Sequence, residues 1–102
     1  MSALISIKRG SIYLPHRVYE TYFNGIDAII VLIQEGVLRI LPVQHVSAGG
    51  CLLKIRNAQG DRVASAQDVF AANELSDWTC EDLDVKWDQS QAALICELPS
   101  AQ

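Results

Sequence analysis

The stretch IKRGSIYLPHRVYE, residues 7–20, decides how this chain folds. Arg9-Gly10 reads as a tight turn, because glycine enters the positive-φ region at no steric cost. Ala3 to Lys8, with the bulk of Leu4, Ile5 and Ile7, reads as the strand before that turn, and Ser11 to Leu14 as the strand after it. Pro15 fits the first turn of a helix, where its missing N–H leaves no bond unmade. Val18, Tyr19, Tyr22 and Phe23 fall on one helical stripe, the pattern of a face packed on a core. Asn24-Gly25 ends the helix, since both residues tolerate the left-handed conformation.

Beyond it, Asp27 to Gln34 carries the run Ala28-Ile29-Ile30-Val31-Leu32-Ile33, which is β-branched, too short for a helix and reads as a buried strand. Glu35-Gly36 turns the chain, and Val37 to Val43 returns with Arg39 alone among apolar neighbours. The order so far is strand, strand, helix, strand, strand. Ser47-Ala48-Gly49-Gly50 is a small-residue linker. The same order then repeats. Cys51 to Asn57 reads as a strand, 58–61 as a turn, and Arg62 to Ala64 as a short strand. Ser65 is placed to cap a helix bearing Val69 and Phe70, with Asp68 in its first turn. Asp84 to Asp88 alternates polar and apolar, Gln89-Ser90-Gln91 turns, and Ala92 to Leu98 closes the unit.

Aligning the halves sets Leu4 to Gly10 against Leu52 to Arg56, with Gly60 answering Gly10 after a longer turn, and Leu41-Pro42 against Leu98-Pro99. The reading is one compact domain, 1–102, of two units, 3–46 and 51–99, joined by a linker at 47–50. A unit of about 45 residues cannot bury both faces of its sheet, so two packed together complete one core.

Length and composition agree with a single globular domain: 102 residues, half of them apolar and a fifth charged. No apolar run reaches the roughly 18 residues of a membrane span, and residues 1–5 lack the start of a signal peptide, so a cytoplasmic chain with no membrane contact is expected. Cys51, Cys80 and Cys96 are odd in number and widely spaced, which suits reduced thiols and neither a disulfide framework nor a zinc site. The net charge is −4, but Lys8, Arg9, Arg17 and Arg39 leave residues 1–46 at +1, while residues 47–102 stand at −5. Nucleic-acid binding would therefore need a local basic patch.

The first half resembles the swapped-hairpin DNA-binding family of AbrB, MraZ and SpoVT. Lys8-Arg9-Gly10, Ile12-Tyr13-Leu14-Pro15, the helix to Phe23 and the hairpin ending Leu38-Arg39-Ile40-Leu41-Pro42 carry the likeness, which covers residues 4–43. MraZ-type proteins hold two such units in one chain. The resemblance implies an α+β fold, a small barrel-like domain from two ββαββ-like units of swapped-hairpin type. It also implies a transcriptional regulator or antitoxin whose DNA contacts are Lys8, Arg9 and Arg17. Ser11 and Tyr19 stand where the family usually carries arginine, and Asp61 and Ser65 depart from it in the second unit.

The residues themselves keep a second function open. Asp77, Glu81, Asp82 and Asp84 surround Trp78 and read as a solvated acidic loop. Trp78, Glu81, Asp82 and Asp84 together form a candidate docking surface for a basic partner protein, since tryptophan is a frequent interface anchor. Trp78 and Trp87 read equally as core residues, as does the aromatic stripe of the first helix, and Lys8-Arg9 reads equally as a solvated turn. His16 and His45 lack metal-ligand spacing, no serine sits in a nucleophile elbow, and no glycine loop carries a phosphate-binding lysine. No cofactor or metal is expected and an enzyme is disfavoured. Two readings remain: a non-enzymatic accessory module binding a partner protein through its acidic half, or an AbrB/MraZ-like DNA-binding regulator. Either is expected to be a homo-oligomer if the units complete each other between chains.

Overall fold

Nine strands and two short helices make up the computed structural model of the protein, which describes residues 2–43 and 50–98. His45, most of the expected linker and Pro99 lie outside the described residues. Strands β1 (Ser2–Lys8) and β2 (Ser11–Leu14) form a hairpin across Arg9-Gly10. Both turn residues have positive φ, 49° and 84°. This is the left-handed pair whose twist matches that of the flanking strands. Strands β3 (Ala28–Gln34) and β4 (Val37–Val43) repeat the device across Glu35-Gly36, at 53° and 76°. Between the hairpins lies helix α1 (His16–Tyr22).

The second half holds β5 (Cys51–Leu52), β6 (Lys54–Ile55), β7 (Arg62–Ser65), α2 (Gln67–Ala72), β8 (Thr79–Asp88) and β9 (Ala93–Glu97). All nine strands join one antiparallel sheet in the order β5-β3-β4-β9-β8-β1-β2-β7-β6. Its two ends, β5 and β6, are separated along the chain by Leu53 alone, so the sheet curls into a nearly closed barrel. The halves interleave. The β1–β2 hairpin lies between β8 and β7, and the β3–β4 hairpin between β5 and β9, so neither first-half hairpin touches the other in the sheet.

The core follows the alternation of the strands. Ile5, Ile7, Ile12, Leu14, Ile29, Leu38, Ile40, Val85 and Leu94 point inward, joined by Phe23 and Phe70, each less than 2% exposed. No polar or charged side chain is buried with them among the described residues. The aromatic stripe of α1 is core as read: Val18, Tyr19 and Phe23 are buried. The Tyr22 ring stacks on Trp87 at 5.0 Å, and Phe70 stacks on Trp78 at 6.5 Å.

Four local expectations are corrected. Pro15 is the residue before α1, in extended backbone at ψ 152°, and not its first turn. Cys51 to Asn57 is broken at Leu53, whose N–H leaves the ladder and donates to the Asp27 carbonyl at 2.8 Å, so that the chain crosses from β3 to β7. Ser65 ends β7, and α2 starts after Ala66 with no side-chain cap. The acidic cluster is a loop only at Asp77: β8 begins at Thr79, and Glu81-Asp82 form a bulge opposite Ser6, with Asp82 at φ 56°.

Each half also holds the start of the other half's helix. The Gly10 carbonyl accepts the Ala66 N–H at 2.7 Å, just ahead of α2. Asp61 Oδ1 accepts the His16 N–H at 2.8 Å, serving α1 as a cap from across the molecule. Both turn glycines lie against the first helical residue of the opposite half. A Cβ at Gly10 would stand 2.8 Å from the Gln67 Cα, and one at Gly60 2.6 Å from His16 Nδ1.

Candidate functional site

The β1–β2–β7–β6 side of the barrel gathers cations from both halves around one ring. Tyr13 projects outward from β2, since its neighbours Ile12 and Leu14 are fully buried. Across the sheet the register sets Ser6, Tyr13, Val63 and Lys54 in one row. Lys8 Nζ lies 5.7 Å from the Tyr13 ring centroid, and the Arg56 guanidinium carbon 4.7 Å from it. Both are cation–π distances. Ser6, Lys8, Tyr13 and Arg56 line one cleft, together with Asp61 and Glu81.

The two acids in the cleft differ. Asp61 is committed internally: it accepts from His16 N–H and from Asn57 Nδ2 at 3.0 Å, and the Asn57 amide, followed by the His16 N–H, holds its carboxyl below the usual aspartate range. Glu81 rises from the β8 bulge and is exposed. Among the described residues the one ion pair is His16 Nε2 with Glu20 at 3.1 Å, so Lys8, Arg9, Lys54 and Arg56 keep their charges available. Arg9 sits at the hairpin tip, where its N–H donates to the Trp78 carbonyl at 3.1 Å and its side chain is exposed.

The sequence-derived residues are placed as follows. Lys8 and Arg9 stand together at the end of the first hairpin. Arg17 lies apart, in a groove beside α1 with Ala3, Leu4, Val18 and Tyr22. Trp78 stands just before β8, and Glu81, Asp82 and Asp84 lie along that strand. Trp78 is half-buried on Phe70, and Glu81 faces the basic cleft. Asp84 lies with Lys86, Asp88 and Glu97 in a separate depression. Tyr13, Lys54 and Arg56 were not singled out from sequence. The signal was present in the alignment of Leu4–Gly10 with Leu52–Arg56, which sets a second basic strand against the first.

Among the described residues no group of three His, Cys, Asp or Glu side chains is arranged to hold a metal. Burial pushes the Cys51 and Cys96 thiols up, away from reactive thiolate. Among the described residues no helix is long and apolar enough to cross a membrane. Compared with family models, curated proteins and solved structures, the chain finds no significant match.

Proposed function

We propose that this protein is a small, non-enzymatic, cytoplasmic regulatory module of swapped-hairpin type, related to the AbrB/MraZ/SpoVT group, that binds DNA through the β1–β2 hairpin and β6. The observation that carries the reading is the convergence of Lys8 and Arg56, one from each half, on Tyr13, with Lys54 and Arg9 on the same side of the barrel. Cations without carboxylate partners neutralise phosphates, and the Tyr13 ring beneath them holds the two together. The family's missing arginines at Ser11 and Tyr19 are offset on this reading by Lys54 and Arg56. The interleaved order of the hairpins supports the same relationship, because two repeated units that exchange hairpins produce such an order.

The test is a titration of the purified protein against a pool of duplex DNA fragments at two salt concentrations. Binding is expected to weaken as salt rises, and Lys8→Ala/Arg56→Ala is expected to flatten the log–log salt slope by about two. No binding at low salt, or a slope unmoved by the double variant, would overturn the reading.

A second reading is favoured by the exposure of Glu81, Asp82 and Asp84 along β8, none of which has a cation within ion-pair reach. On that reading a basic partner protein docks on these carboxylates and on the exposed edge of Trp78.

A further inference from the structure

The cleft beside Tyr13 holds charges of both signs that do not meet. The pairings set Ser6 between Tyr13 on one side and the Glu81-Asp82 bulge on the other. Tyr13, with Lys8 and Arg56 at its ring, is therefore one wall and Glu81 the opposite wall, two strand spacings or about 10 Å apart at the backbone. No ion pair joins Glu81 to Lys8 or Arg56. The recess is about 220 Å³. At about 30 Å³ per water it has room for roughly seven waters, or for a molecule of fewer than about ten non-hydrogen atoms. The other charges around it are placed elsewhere. Asp61 accepts from His16 and Asn57, and His16 pairs with Glu20. Lys54 lies beyond Val63 in the Tyr13 row, Asp84 beside Leu4 in the next row, and Arg9 at the hairpin tip.

We propose that this recess binds a small phosphorylated amine, with the phosphate on Lys8 and Arg56 and the ammonium on Glu81. Ser6 and Tyr13 bring hydroxyls to the same recess. Two cations and two hydroxyls match the charge near −2 and the three acceptor oxygens of a phosphate monoester. A bare anion would be set against Glu81, and a bare amine against Lys8 and Arg56, and like charges brought together cost affinity. A molecule carrying both ends meets all three side chains. The inference goes beyond the DNA-binding reading and stands without it, since it needs only the cleft.

The test is calorimetric titration of the full chain at low salt with phosphoethanolamine, and separately with inorganic phosphate and with ethanolamine. Phosphoethanolamine is expected to bind with Kd of about 1 mM or tighter, and each half-molecule about tenfold more weakly. Its amide NMR shifts are expected to centre on Ser6, Tyr13 and Glu81. Glu81→Gln is expected to erase the preference for phosphoethanolamine over phosphate, and Lys8→Ala/Arg56→Ala to lose binding of both, with circular dichroism checking that each variant is folded. No binding by about 10 mM, equal binding of phosphate and phosphoethanolamine, shifts centred elsewhere, or a preference unmoved in Glu81→Gln would overturn the proposal. Phosphoethanolamine binding without duplex binding would support the proposal and remove the DNA-binding reading; duplex binding without phosphoethanolamine binding would do the reverse.

Discussion

At the residue scale, the two turn glycines are alike in backbone and unlike in surroundings. Gly10 and Gly60 both have positive φ, 84° and 91°. Beside Gly10 the nearest atom to an added methyl is the Gln67 Cα, at 2.8 Å, which moves only if α2 moves. Beside Gly60 it is the Nδ1 edge of the exposed His16 ring, a side chain that can turn away. Gly10→Ala is therefore expected to cost about 1–3 kcal/mol and Gly60→Ala distinctly less, with urea unfolding midpoints as the check. Equal midpoints, or the reverse order, would remove the argument. The turn role of Gly10 was legible in Lys8-Arg9-Gly10-Ser11, because positive φ is a local demand. Its contact with Gln67 was not, since that contact joins residues far apart in the chain.

The elements show the same division. Strands β2 and β4 begin and end where the sequence reading put them, because alternation and the flanking turns define both ends. The second half was harder to read. Lys54 and Ile55 remain in a strand, but Leu53 leaves the ladder to bridge the two ends of the sheet. Asp88 anchors the β8–β9 turn, accepting the Ser90 hydroxyl and the Ser90 and Gln91 N–H groups. Helix α1 has only seven residues to declare it, and its cap, Asp61, comes from the other half. That cap makes the element pH-sensitive. The Asn57 amide and the His16 N–H stabilise the charged carboxylate, so Asp61 ionises in the folded protein below its ordinary value near 3.8. Its contribution to stability is complete above that ordinary value and is lost as pH falls through the lower folded one. Asp61→Ala is expected to lower the unfolding midpoint at about pH 7, with the gap from the parent narrowing as the pH falls below 3.8. A gap that stays constant with pH would show that the carboxylate charge is not what holds the helix.

For the whole molecule, the element order and a single barrel-like domain were legible, and the pairing between halves was not. Local patterns declare strands; register between distant strands is set by which faces fill the core together. The same limit hid the site: Lys8 and Arg9 were visible as a basic hairpin, whereas Arg56 joins them only through the order β1-β2-β7-β6. Interleaving also makes the halves hold each other without the covalent link. Protein cut at a protease site engineered into residues 47–50 is expected to elute from a native sizing column as one species. Its melting temperature is then expected to depend on concentration, as for any two-chain assembly. Two separately eluting fragments would show that the sheet contacts between halves are too weak to hold.

Synthesis on the ribosome meets this topology in an awkward order. The first strand to emerge, β1, pairs with β8, Ser2 opposite Lys86, so it must wait for almost the entire chain. Strand β4 also waits, for β9, the last strand of the sheet to emerge. Until then the nascent chain carries Ile29 to Ile33 and Leu38 to Leu41 in a lone hairpin, a hazard for aggregation and a natural client for chaperones. A message truncated anywhere before β9 thus yields no shorter working version of this protein, only a polypeptide for the cell to clear.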